Sequence, residues 1–146
     1  MQDTGCKMQV EEKRDGAAYK SYKDLDVYKI AHKLAVEVHK MTMKELPKFE
    51  LYEEGNQLRR SSKSMPSNIV EGFGLRRYKN EFIKYLAIAH ASCDETREHL
   101  EILFETESLQ NKELFEYFIN EYEVLSRKIN NFISAIEFGH KSRRAK

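Results

Sequence analysis

The chain is poor in the residues that usually mark covalent chemistry or irregular structure. It has two cysteines, Cys6 and Cys93, two prolines, Pro47 and Pro66, and six glycines. Two thiols cannot build the disulfide framework of a small secreted domain. No stretch reads as a signal peptide, so a reducing, cytoplasmic setting is expected. No uncharged run approaches the ~20 residues of a membrane span, and no membrane contact is expected. Neither sign of charge dominates: 25 Lys and Arg face 24 Asp and Glu, for a net charge of +1. That balance excludes a uniformly basic nucleic-acid protein and an acidic solvating tail. What is allowed is long helices. A chain of 146 residues suits one domain, which buries about 70% of its unfolded surface and folds without staples.

The even total hides blocks. Residues 1–55 carry net −1, residues 56–90 net +5, residues 91–125 net −8 and the last 21 residues net +5. A fold can set such blocks on different surfaces.

Residues 1–20 lack apolar periodicity and read as a flexible arm. From there the pattern is helical. Val27, Ile30, Ala31, Leu34, Val38 and Met41 recur at steps of three and four, one face of an amphipathic helix with Asp24 as its expected N-cap and Pro47 at its exit. Residues 48–55 read as a connection. A second run starts near Asn56 and places Leu58, Ser62, Met65, Ile69 and Phe73 on one face. Pro66 lies inside it and removes the hydrogen bond to the Ser62 carbonyl, at ~3 kcal/mol in an exposed helix interior. A kink is expected there, with nearby serine hydroxyls satisfying the freed groups. Gly72 and Gly74 end the run, where glycine tolerates positive φ.

Asn80 is the expected cap of a third helix with Phe82, Leu86, Ala89, Cys93, Leu100 and Leu103 in its stripe. Residues 109–111 interrupt it. Asn111 caps a fourth helix, with Leu114, Phe118, Tyr122, Leu125, Ile129, Phe132 and Ile136 at heptad-like spacing. Gly139 sits where a C′ residue belongs, before the basic tail HKSRRAK. The expectation is an all-α fold: an antiparallel up-down four-helix bundle over residues 21–139, with the arm before it and the tail, residues 140–146, after it.

Enzymatic chemistry is not expected. A di-iron bundle needs two Glu-x-x-His motifs, which the chain does not supply. His90-x-x-Cys93 has a ligand-like spacing with His99 two turns on, but no second pair completes a tetrahedron. Asp94, Glu95 and Glu98 surround Cys93 with negative charge, the opposite of what a reactive thiolate needs. The plain reading is a half-buried thiol beside surface imidazoles. Gly72-Phe73-Gly74 has neither the preceding strand nor the following Lys-Ser/Thr of a phosphate loop. No metal or organic cofactor is expected.

Two features between Gln57 and Phe82 stand apart. At about 100° per residue, Arg60, Ser64, Asn68 and Glu71 share a direction roughly 145° from the apolar stripe, with Arg59 and Lys63 beside them. The plain reading is a wet face. The functional reading is contact with another subunit, as an oligomer interface, or with a ligand, because short donors and acceptors suit fixed hydrogen bonds. Next come Arg76, Arg77 and Lys79, just before a helix start whose free N–H groups favour anions. Glu81 in the first turn partly offsets them, and Tyr78 can stack on a base. Arg143 and Arg144 of the tail add cations.

The strings QLRRSSKSMPSNIVEGFG, KNEFIKYLAIAHASCDE and YKDLDVYKIAHKLAVEV resemble the 23S rRNA intervening-sequence proteins, over nearly all of residues 22–138. The resemblance implies an up-down four-helix bundle in a ring-like homo-oligomer, a pentamer, with no established enzymatic activity. It places the family's characteristic positions on Arg60, Ser64, Pro66, Asn68, Glu71, Gly72, Phe82 and Tyr85. It also implies kinship with accessory proteins of diversity-generating retroelements, whose basic barrels engage nucleic acid and a reverse transcriptase. Those barrels are strongly basic; this chain is near neutral and carries a −8 block. Two functions follow as expectations: an oligomer that binds RNA or DNA weakly through the basic loop and tail, or a scaffold that engages a protein partner without nucleic acid, its ring formed where opposite charge blocks meet across subunits.

Overall fold

A computed structural model of the chain describes the backbone of residues 19–145 and the side chains of residues 19–139. Most of the expected arm, and the side chains of the tail with Arg143 and Arg144, lie outside the described residues. Four long helices carry the fold: α1 (Asp26–Glu45), α2 (Glu54–Gly74), α3 (Lys79–Glu105) and α4 (Lys112–Ala145). Two short 3-10 turns, Tyr22–Asp24 and Lys48–Tyr52, precede α1 and α2. Among the described residues there is no strand, and no helix is long and apolar enough to cross a membrane. Each helix packs on its neighbour in sequence, and α4 closes on α1, as an up-down bundle requires.

The apolar stripes meet in one core. Leu34 and Val38 of α1, Leu58, Met65 and Ile69 of α2, Leu86, Ala89, Leu100 and Leu103 of α3, and Tyr122, Leu125 and Ile129 of α4 are fully buried. Burial of each large side chain contributes roughly 1.5–3 kcal/mol, which outweighs the cost of Pro66. The helix runs unbroken through that proline. The Ser61 and Ser62 hydroxyls donate to the carbonyls of Leu58 and Arg59, one turn back, rather than to the Ser62 carbonyl that Pro66 frees.

Several ends differ from expectation. Asp24 does not cap α1. Its carboxylate accepts from the Ser21 and Lys20 amides at 3.2 and 2.9 Å, and with Ser21 it forms the capping box of the 3-10 turn. Leu25 holds the N-cap position of α1 with no side-chain bond. Asn80 is likewise not a cap, because α3 begins at Lys79, with Tyr78 before it. Asn111 does cap α4, its Oδ1 accepting from the Leu114 amide at 3.0 Å. Gly139 does not end α4, whose backbone continues to Ala145.

Gly72 has a tertiary role. A Cβ placed there would lie 3.0 Å from the Cβ of Tyr85 and 3.3 Å from the carbonyl oxygen of Phe82. The absent side chain lets α2 and α3 approach closely; positive φ is not what the position requires. Gly74, the last residue of α2, meets nothing within 4 Å.

Candidate functional site

The bundle has two unlike ends. One gathers Tyr19, the turn between α2 and α3, the start of α3 and the last part of α4, as ring contacts of Tyr19 with Phe73 and of Phe82 with Phe132 show. The other gathers the 3-10 turn before α2 and the turn before α4, joined where the Ser108 hydroxyl donates to Glu50 Oε2 at 2.6 Å. Phe104 stacks on Phe115 there, with centroids 4.2 Å apart.

The expected basic loop lies at the first end, and its three cations differ. Arg76 donates to the Phe73 carbonyl at 2.9 Å and lies over the Phe73 ring at 4.0 Å. A cation at that place also complements the C-terminal dipole of α2, so Arg76 serves the helix end. Arg77 is exposed and Lys79 half-exposed, and among the described residues neither enters an ion pair. Tyr78, between them, is 56% exposed. No side chain caps α3. From Phe132, which meets Phe82 near the start of α3, α4 runs on for thirteen residues to Ala145, about 20 Å at 1.5 Å per residue. The fold thus starts both cationic segments of the sequence from one end.

The expected interface stripe divides. Arg60 and Glu71 are exposed, whereas Ser64 and Asn68 are half-buried and turned into the seam with α3. The hydroxyls of Ser64 and Ser92 are 2.9 Å apart, and Asn68 Nδ2 donates to the Ser64 carbonyl at 2.8 Å and lies 3.0 Å from the Ser64 hydroxyl. Deeper in the seam the Thr96 hydroxyl sits 2.8 Å from both Ser61 Oγ and the Ser92 carbonyl. At about 100° per residue, Ser61, Asn68 and Gly72 share a direction between the apolar and polar stripes. That row of small groups was readable in the sequence as a close helix contact. Beyond it, His99 Nδ1 meets both carboxylate oxygens of Glu54, at 3.1 and 3.0 Å.

Arg59 and Lys63 also separate. Arg59 donates to the Thr42 hydroxyl at 2.9 Å and the Leu51 carbonyl at 2.6 Å, tying α2 to α1. Burial, then the charges of Lys63 and Arg59, holds the His39 pKa below its ordinary 6.5. Lys63 itself is exposed.

The thiol and imidazoles form no common site. Cys93 is fully buried, against the half-buried thiol expected, because it lies in the core stripe of α3 and donates to the Tyr122 carbonyl at 3.2 Å. Burial pushes its pKa up to about 12. His90 Nε2 turns to the Ser126 hydroxyl at 2.8 Å, while His99 pairs with Glu54. One Glu-x-x-His spacing does occur, Glu137 to His140, but the His140 side chain lies outside the described residues. Among the described residues no group of three or more His, Cys, Asp or Glu is placed to hold a metal.

A family model described as 23S rRNA-intervening sequence protein matches residues 23–131, from the turn before α1 into the second half of α4. No curated protein matches the chain.

Proposed function

Because the chain belongs to the 23S rRNA-intervening sequence protein family, we propose that it is a non-enzymatic, ring-forming homo-oligomer, a pentamer, that binds RNA or DNA weakly through one basic end of the bundle. The observation that carries this reading is the placement of Arg77 and Lys79. Arg77 is exposed and Lys79 half-exposed, and both lie outside any ion pair among the described residues, at the end from which α4 runs on. Cations so placed can release counterions from phosphates although the average charge is near zero. A ring would present several copies of the loop to one strand and multiply the effect. Arg60 and Glu71, the exposed members of the polar stripe, are offered for contact between subunits.

Gel-shift with a structured RNA at low and physiological salt tests the reading, beside light scattering at micromolar concentration. Retention at low salt is expected, weakening as salt rises. With Arg77 and Lys79 replaced by alanine, the salt dependence should flatten by about 1.4 slope units for a single strand, at ~0.7 per phosphate. Arg76→Ala should change it less, because that guanidinium is engaged with Phe73. No retention at low salt overturns the nucleic-acid reading, and a monomer overturns the ring.

One observation favours the second reading, a protein-interaction scaffold. Asp94, Glu95, Glu98 and Glu101 are exposed along α3, a surface that suits a basic protein and repels a phosphate backbone. That reading stands if no nucleic acid is retained.

A further inference from the structure

We infer that the nucleic acid taken by the basic end is single-stranded, with bases stacked on Tyr78 and Phe138, in preference to a duplex. This rests on the nucleic-acid reading above and goes further by naming the form of the ligand. Tyr78 is 56% exposed, although aromatic rings of similar size, Tyr122 and Phe118, are buried in the core of the same bundle. It stands directly between Arg77 and Lys79 in the chain. Its place before α3 requires only the backbone: its amide donates to the Leu75 carbonyl at 2.8 Å, its carbonyl accepts from the Phe82 amide at 2.9 Å, and the side chain makes no capping bond. The phenol ring therefore has no part in ending the turn.

Phe138 is 68% exposed on α4, six residues beyond the Phe132 that meets Phe82. Rings and cations thus share one end of the bundle. A duplex offers such a surface phosphates and groove edges, and keeps the faces of its bases stacked within. Two solvent-facing rings would find nothing there to lie on. A single strand offers phosphates to Arg77 and Lys79 and base faces to the rings, the combination by which sequence-tolerant single-strand binders work. Preference should follow ring removal rather than base identity.

Fluorescence anisotropy of the full chain at low salt, with labelled oligo-dT, oligo-U and a DNA hairpin duplex of equal phosphate number, tests this. The wild type should bind both single strands more tightly than the duplex. Tyr78→Leu and Phe138→Leu should each weaken single-strand binding by on the order of ten-fold and leave duplex binding unchanged. Tyr78→Phe should restore the preference. Circular dichroism and light scattering on the same variants check fold and assembly. Equal affinity for strand and duplex overturns the inference and leaves nucleic-acid binding standing. So does single-strand binding that stays undiminished in folded, assembled Tyr78→Leu and Phe138→Leu. No binding to any of the three probes overturns both.

Discussion

The hydroxyl of Thr96 on α3 sits 2.8 Å from that of Ser61 on α2, and both side chains are buried. A buried polar pair costs little while its hydrogen bond is made, and more when one partner is removed. The pair also fixes how α2 lies along α3, since a shift of either helix by one residue would part the two oxygens.

Thr96→Val is therefore expected to cost about 1 kcal/mol, because it keeps the shape and removes the donor to Ser61. Ser61→Ala should cost a similar amount. The double variant should lose less than the sum of the two, as a urea-denaturation cycle would register. Strict additivity would mean that the two hydroxyls do not interact.

Gly72→Ala sets helix propensity against packing. Alanine returns ~1 kcal/mol in a helix interior, but the new methyl must force apart Tyr85 and Phe82, and overpacking of that kind costs ~1–3 kcal/mol. A net loss of about 1 kcal/mol is expected. Gly74→Ala meets nothing within 4 Å and should leave Tm unchanged or slightly raised. A rise in Tm for the alanine at position 72 would contradict the close approach.

His39 should titrate below 6.5 in an NMR pH series. Replacing Lys63 with glutamine should raise its pKa in part only, since burial is the larger cause. Because the folded state resists this proton, the unfolded chain binds more of it as the pH falls below 6.5. The contribution to stability is present above pH 6.5 and is lost as the pH drops through the folded value. In Lys63→Gln that acid loss should shrink. An unshifted His39 in the wild type would remove the effect.

Cys93 should be inert to thiol reagents. With its pKa near 12, almost no thiolate exists at pH 8, and the side chain is fully buried. In a Cys6→Ser background, Ellman's reagent at pH 8 should react only after denaturant is added. Rapid stoichiometric reaction of the native protein would contradict the burial.

Much of the bundle was legible in the sequence because burial follows helical periodicity, and the stripes through Leu58 to Phe73 and Phe82 to Leu103 are in the core. The caps at Asp24 and Asn80 were misplaced for a local reason. Asp24 caps the neighbouring 3-10 turn instead, and Ser21 three residues before it was the readable sign of the box. Asn80 falls inside α3 because the helix starts one residue earlier, at Lys79, with no side-chain cap. The partners of Gly72 were not legible from its own helix, because the side chains it admits belong to another: Phe82 and Tyr85 lie on α3. The same limit applies to the candidate site. Arg76, Arg77 and Lys79 look alike in sequence, and only the fold shows that one of them is held by the Phe73 carbonyl and ring.

The order in which the helices pack bears on how fast the chain reaches its fold. α1 meets α2, α2 meets α3 and α3 meets α4 through short connections, so most contacts lie near in sequence and closing them costs little loop entropy. Such a topology folds in microseconds to milliseconds. The seam between α4 and α1 is the exception, joined by Lys128 to Asp26 at 2.8 Å and by Tyr117 to Glu37 at 2.7 Å, pairs 102 and 80 residues apart. Contacts so distant in sequence are expected to form after the neighbouring hairpins, so weakening them should quicken unfolding while refolding keeps its pace. On that order of events, the lifetime of the closed bundle is expected to be set at that seam.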